Sequence, residues 1–335
     1  MPAVRWVSPL RYPGGKGRMA AALAELFLAQ FGLMDVEIWI EPFAGGAGAG
    51  LHLLEQGVVE EIWLTEKNPA LAAFWRTVVE NGAELSTRIR TCEPDMQMWH
   101  DAKGLVAASE AGETLSDIDL AFAALVVNRC SRSGMVTTRV GPIGGKGQNG
   151  TDNIRSRWNA DGLADRIDWI WRHQCQVRVR EGDGIEAIAE LDGSIGIEEE
   201  LVLFVDPPYL VQGNRLYAAG MSFDDHKNLA YALENCAARW LLTYGADSRI
   251  RDLYPDRRIL AYEIPYSANS RRIDEEYAIF SDNLGVRGDQ NLLATGASRW
   301  IQHGPPAQAL VDDPASSPAG EAVSSPTGPR SGAQQ

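Results

Sequence analysis

At 335 residues, 45% of them hydrophobic and 23% charged, the chain can bury a core for one large α/β domain with an insertion, or for two smaller domains. It has no apolar run near the N-terminus and no twenty-residue apolar span, so neither a signal peptide nor a membrane helix is expected, and a cytoplasmic location is. The formal net charge of −14 argues at first sight against a nucleic-acid partner.

The distribution of charge changes that reading. Between Arg129 and Arg180 there are ten Lys/Arg against four Asp, and the first eighteen residues carry four basic residues and no acid. Such asymmetry fits a polyanion groove on an otherwise acidic protein, although it is also what a solvated basic face looks like. The four cysteines, Cys92, Cys130, Cys175 and Cys236, lack the paired spacing of a zinc site and the density of a disulfide scaffold. Reduced, mostly buried thiols and no metal are expected.

In chain order, the turn-rich opening Ser8 to Lys16 contains Tyr12, Gly14, Gly15 and Lys16 and leads into a helical pattern with Met19, Leu23, Leu26 and Phe27 on one face. It is not a phosphate-binding loop of the Gly-x-x-x-x-Gly-Lys-Ser/Thr kind, because Gly17 follows the lysine. Ile38 to Ile40 reads as a strand, and Glu41-Pro42-Phe43-Ala44-Gly45-Gly46 begins a glycine-rich turn that opens a helix through Leu51, Leu53 and Leu54. A second strand, Ile62 to Leu64, ends at Glu66, about twenty residues after the first glycines, the spacing at which an acid meets ribose hydroxyls.

Residues 68–80 read as a helix, while 82–116 is polar and poorly periodic. A helix from Asp119 to Arg129 precedes a stretch, Ser131 to Arg157, that is rich in Gly, Arg, Thr and Asn. That stretch has too little apolar material for its own core, and is expected to lie irregularly on or over a ligand. A helix through Leu163, Ile167, Ile170 and Trp171 follows, then a strand at Gln176 to Arg180 that ends at Gly182-Asp183.

Val202-Leu203-Phe204-Val205 reads as a central strand buried on both faces, stopped by Asp206-Pro207-Pro208-Tyr209 because proline cannot donate to a ladder. The loop then sits at the strand's carboxyl end, where open α/β sheets place their ligands. An acid, a proline carbonyl and an aromatic ring held by two prolines suit a flat base with an exocyclic amine: two acceptors for its N–H groups and a surface to stack on. Ser222 to Asp225 caps a helix through Leu229 and Leu233, strands follow at Trp240 to Tyr244, Ala261 to Tyr266 and Tyr277 to Ser281, and 304–335 has the composition of a disordered tail.

Together, Leu10 to Lys16, Glu41 to Gly46 and Asp206 to Tyr209 resemble, in order and spacing, the cofactor, glycine and catalytic motifs of the Dam-type (D12 class) adenine-N6 DNA methyltransferases. The Asn128-Arg129 to Arg157-Trp158-Asn159 segment is similar to the insertion of the phage-encoded members. One departure is that Ala47 stands where the family's second glycine usually falls.

The resemblance implies a Rossmann-like S-adenosylmethionine-dependent methyltransferase fold, with a catalytic domain over 1–80 and 175–303 and an inserted target-recognition region over 81–174. It implies S-adenosyl-L-methionine at Tyr12, Gly14, Gly15, Lys16, Glu41, Pro42, Phe43, Gly45, Glu66, Asp183 and Asp206, and catalysis by Asp206, Pro207, Pro208 and Tyr209. DNA is the implied partner, through Asn128, Arg129, Arg132, Arg139, Lys146, Arg155 and Arg157. The same chemistry would serve cytosine N4 or RNA, and a non-catalytic DNA-binding relative is the alternative from another class.

Overall fold

Eight strands form a single sheet in the computed structural model, which describes residues 7–12, 16–28, 37–191, 201–210, 220–266, 272–286 and 297–304. The strands are β1 (Ile38–Glu41), β2 (Glu61–Glu66), β3 (Val177–Glu181), β4 (Leu201–Val205), β5 (Arg239–Gly245), β6 (Arg258–Tyr266), β7 (Arg272–Phe280) and β8 (Ser298–Gln302). Their order is β3-β2-β1-β4-β5-β7-β6-β8. The first five run parallel, β7 enters antiparallel beside β5, and β6 and β8 continue antiparallel. The expected central strand is β4, buried along its whole length. Strand order reverses between β1 and β4, which opens a crevice at their carboxyl ends.

Alternation along the strands sorts the core into two layers. Trp39, Ile62, Val202, Phe204 and Leu241 face one side, where Trp39 and Phe204 stack at 5.2 Å; Ile38, Ile40, Leu203, Val205 and Leu242 face the other. The first side is covered by α1 (Ala20–Leu28), α2 (Gly48–Glu55), α3 (Pro69–Glu80), α4 (Gly82–Arg90), α5 (Met96–Glu110), α6 (Asp117–Cys130) and α7 (Ala160–Arg172). The second is covered by α8 (Gly184–Ala189), α9 (Phe223–Glu234) and α10 (Ser248–Arg251). The Ser222 hydroxyl and the Asp225 carboxylate form a reciprocal capping box at the start of α9, as the sequence signal there requires.

The polar stretch 82–116 is largely helical, which its weak periodicity concealed. Leu85 and Ile89 of α4, and Trp99, Ala102 and Val106 of α5, form apolar stripes only one residue wide among charged neighbours. Those stripes are wholly covered by α3, α6 and α7, and Asp95 caps α5 by accepting from the Met98 N–H at 2.8 Å. Burying a side chain such as Trp99 stabilises by about 2 to 3 kcal/mol, so tertiary packing overrides the poor local signal.

Residues 131–157 do form an irregular segment, with one isolated bridge between Ser131 and Pro142. It makes no core of its own, but Val136 and Ile154 join the cluster of the helical layer. Gln148 organises its turn by donating to the Ile143 and Gly145 carbonyls and accepting from the Ile154 N–H. Trp171 is half-buried, outside the buried stripe of α7, and β8 is an additional edge strand. Of the cysteines, only Cys130 is buried; Cys92 and Cys236 are half-buried and Cys175 is exposed, so the expectation of mostly buried thiols fails. The tail beyond Gly304 lies outside the described residues.

Candidate active site

The carboxyl ends of β1, β2, β3 and β4 converge on the crevice, and most of the expected site residues lie there. The glycine turn after β1 is held from three sides. The Gly45 N–H donates to Glu66 Oε2 at 2.9 Å, the Trp75 indole N–H of α3 donates to the Gly45 carbonyl at 3.0 Å, and the Ser8 hydroxyl donates to the Gly46 carbonyl at 2.6 Å. Gly45 has φ +47°, and a Cβ there would lie 2.9 Å from the Tyr12 ring, so only glycine fits. Ala47, at the family's usual glycine, takes φ 46° and ψ 34° before α2: the turn keeps its left-handed path with an alanine in it.

Glu66 closes β2 and spans the turn, accepting from the Gly45 N–H with Oε2 and from the Asn68 N–H at 2.8 Å with Oε1. Burial pushes its carboxyl up from the ordinary range, while these amide donors pull it back. Asp183, after β3, caps α8 by accepting from the Ile185 N–H and pairs with Lys67 at 2.7 Å, which holds its carboxyl below the usual range against the effect of burial. A Cβ on Gly184 would lie 2.3 Å from the Pro42 carbonyl and 2.9 Å from the Phe43 ring, so the turns after β1 and β3 touch.

Glu41 has a different surrounding from the one expected of a ligand contact. It is 5% exposed and spends Oε1 on the Trp39 indole N–H and, at 2.7 Å, on the Gly50 N–H of α2. Burial foremost, with neighbouring Asp206 adding to it, pushes its carboxyl up to about 7. Gly14 and Gly15 lie outside the described residues.

At the end of β4, Asp206 Oδ1 accepts from Lys16 Nζ at 2.9 Å, from the Thr243 hydroxyl of β5 at 2.7 Å and from the Tyr209 hydroxyl at 3.1 Å; Oδ2 accepts from Lys16 at 3.2 Å. Lys16 Nζ also donates to the Tyr209 hydroxyl at 2.7 Å and lies 3.5 Å from Glu276 Oε2 on β7. Glu276 Oε2 in turn accepts from Tyr262 of β6 at 2.6 Å and lies 3.1 Å from the Tyr209 oxygen, so the single Tyr209 proton has two alternative acceptors, Asp206 and Glu276. Burial, with Asp206 and Glu276 close by, raises the Tyr209 phenol well above its ordinary value, so it stays protonated. Pro207 is buried, Pro208 half-buried, and the Tyr209 ring lies tilted against Tyr244, with centroids 5.9 Å apart. Thr243, Tyr262 and Glu276 were not singled out in the sequence. Glu276 carried a signal, an acid in the middle of a sheet strand.

The expected basic residues divide. Asn128 is wholly buried and uses its amide internally: it accepts from the Arg11 N–H at 2.9 Å and donates to the carbonyls of Arg11 and Gly134. It is therefore a strut and not a surface contact. Arg129 donates to the Arg157 carbonyl, and burial together with Arg11, Arg166 and Arg157 pushes its guanidinium down to about 10. Arg11 donates to the carbonyls of Ser131 and Arg132, and Arg166 to that of Ser8, so four arginines gather beside the N-terminal motif. Arg11 and Arg166 fell outside the expected set because they lie far from it in sequence or on a helix read as structural. Arg132, Arg139 and Lys146 are exposed, and Arg155 pairs with Glu93 at 2.7 Å.

Among the described residues, no cluster of three or more His, Cys, Asp or Glu could hold a metal ion, and no helix is long and apolar enough to cross a membrane. No curated protein matches the chain in sequence. Among solved structures, protein LPL1258 from Legionella pneumophila str. Philadelphia 1 is similar at 11% identity and a TM-score of 0.33, over 90% of this chain and 98% of that one, too distant to bear on the site. The family model of the D12 class N6 adenine-specific DNA methyltransferases matches residues 12–268, from Tyr12 across the glycine turn and Asp206 into the β6–β7 connection; the chain belongs to that family of DNA-methylating enzymes.

Proposed function

We propose that this enzyme transfers the methyl group of S-adenosyl-L-methionine to the N6 amine of an adenine flipped out of DNA, with Asp206 and the Pro207 carbonyl accepting the amine's two N–H groups. The observation that carries the reading is the setting of Asp206. Its carboxylate stands at the end of the central strand, fixed by Lys16, Thr243 and Tyr209, yet its side chain is still 24% exposed toward the crevice. The rest of the cofactor's expected residues suit that molecule. The Tyr12 ring packs against Gly45 at the turn, Glu66 has carboxylate lone pairs beyond those its backbone donors use, and Phe43 and Asp183 flank the turns after β1 and β3.

When bound, S-adenosylmethionine supplies an electrophilic methyl on a sulfonium, which needs no metal. What the protein must supply is a better nucleophile, because an exocyclic amine is delocalised into its ring. Two fixed acceptors favour a pyramidal nitrogen with a directed lone pair, an effect of position and electrostatics. Asp206 is also the carboxylate placed to take the proton that the amine sheds. Flipping the base costs about a few kcal/mol, which stacking on the Tyr209 ring offsets in part.

Residues 81–174 are proposed as the target-recognition region, with the Arg11, Arg129, Arg157 and Arg166 group meeting backbone phosphates next to the site. Incubation with methyl-labelled S-adenosylmethionine and unmethylated mixed-sequence DNA, followed by digestion to nucleosides, is expected to yield N6-methyladenine. Label in N4-methylcytosine, or in RNA alone, would overturn the reading.

A further inference from the structure

The buried charges behind Asp206 do not balance pairwise: one ammonium, Lys16 Nζ, is shared between the carboxylates of Asp206 at 2.9 Å and Glu276 at 3.5 Å. The two acids differ in access. The side chain of Asp206 is 24% exposed, while those of Lys16 and Glu276 are each 3% exposed. They differ in partners as well. Glu276 Oε2 takes the Tyr262 hydroxyl and Asp206 Oδ1 takes Lys16 and Thr243, with Oδ2 making only the longer Lys16 contact; the one Tyr209 proton can go to either acid, 3.1 Å away in each case.

Glu276 is buried within β7, where an unpaired carboxylate is strongly disfavoured by desolvation, so its presence calls for a reason. A target amine that hydrogen-bonds Asp206 must compete with Lys16 and Tyr209 for the same oxygens. If Asp206 were their only anion, that competition would leave a buried ammonium without a counter-ion.

We infer that Glu276 is a positioning residue: it is the fixed counter-ion that holds Lys16 and the Tyr209 hydroxyl in place while Asp206 engages the target amine. The inference rests on the proposed methyl transfer for its purpose, but not for its geometry. Lys16 ends the N-terminal motif and opens a short helical turn, Tyr209 comes from the loop after β4, Tyr262 from β6 and Glu276 from β7, so the acid ties the first motif to the antiparallel end of the sheet. It touches neither substrate nor cofactor in this scheme, and acts through Lys16 and Tyr209.

The test uses the full chain with Glu276→Gln, which keeps an acceptor for the two tyrosines and removes the charge, and Glu276→Ala as a second variant. Single-turnover methylation of mixed-sequence DNA should fall at least tenfold in Glu276→Gln, while the calorimetric Kd for S-adenosylmethionine and the KM for DNA stay within about threefold of the wild type. Independently of turnover, acylation of Lys16 by an amine-reactive ester, read by peptide mass spectrometry against exposed Lys67 and Lys227, should speed up at least tenfold in either folded variant. An unchanged Lys16 acylation rate overturns the inference. So does a rate of methylation within twofold of wild type, or a loss that tracks weaker cofactor binding. Absence of methyl transfer by the wild type would overturn the proposed reaction instead, and the Lys16 acylation rates would still decide the role of Glu276.

Discussion

Asn128 grips the backbone of Arg11 at both ends, accepting from its N–H at 2.9 Å and donating to its carbonyl at 2.7 Å across 117 residues of sequence. The same amide nitrogen donates to the Gly134 carbonyl at 2.5 Å, so the first motif, the end of α6 and the irregular segment are fixed together at one side chain. Asn128→Ala would leave buried backbone groups of Arg11 without partners, which costs about 1 to 3 kcal/mol per group. Chemical denaturation is expected to show a loss of at least 2 kcal/mol, together with weaker DNA binding because the arginines beside it lose their register.

The arginine group should separate from the rest of the basic segment by its salt dependence. Arg11, Arg129 and Arg166 are half-buried and Arg157 is exposed, and Arg11, Arg129 and Arg166 each donate to a backbone carbonyl, which leaves the positive charge of the group uncancelled by those bonds. Substituting Arg129 or Arg157 with Ala is expected to flatten the log–log salt slope of DNA binding by about one unit at most. Arg155→Ala, which removes a residue paired with Glu93, is expected to leave the slope nearly unchanged. Equal slopes for all three variants would show that the group does not meet phosphates.

Asp206→Ala should lower methyl transfer at least about a hundredfold, the scale on which loss of one preorganised electrostatic group acts. Cofactor binding by calorimetry should largely survive, because Glu66 and the glycine turn are untouched by the change. Near-normal turnover would remove Asp206 from the chemistry.

Glu41 gives a pH dependence whose sign follows from its raised carboxyl. Pushed up to about 7 by burial, it holds a proton in the folded state that the unfolded chain has already released above the ordinary carboxylate range. Between those two values the folded state binds more protons, so stability falls as pH rises through about 7, by about 3 kcal/mol in all. In Glu41→Gln, whose amide oxygen can still accept from the Gly50 N–H, that fall is expected to disappear. Comparing unfolding free energies of both proteins at pH 5 and pH 8 checks this, and parallel curves would refute it.

Ala47 carries a left-handed backbone that alanine adopts at a cost of about 1 kcal/mol or more relative to glycine. Ala47→Gly is therefore expected to stabilise the protein by about 1 kcal/mol, a rise of about 2 °C in Tm for a chain of this size. A fall in Tm would mean that the unfolded-state entropy of the added glycine outweighs the strain relieved.

Much of the plan was legible in the residues themselves. The apolar run ending in Asp206-Pro207-Pro208-Tyr209 reads as a central strand delivering a loop, and β4 is one, because continuous apolar character and the loss of backbone donors are local properties. The alternating strands, the capping box at Ser222 and the Gly45 turn joined to Glu66 were likewise set by short-range pattern. The helices of 82–116 were not, because their one-residue-wide stripes acquire meaning only against α3, α6 and α7. Nor could spacing tell that Asn128 turns inward, that Glu41 serves the turn behind it, or that Arg11 and Arg166 join Arg129. Each depends on which backbone groups lie unpaired nearby once the chain has closed. Glu276 is the clearest case. Sequence placed an acid in a strand, but only the folding of β7 beside β5 and β6 brought it to a lysine 260 positions away, and buried charges find their partners through space, not along the chain.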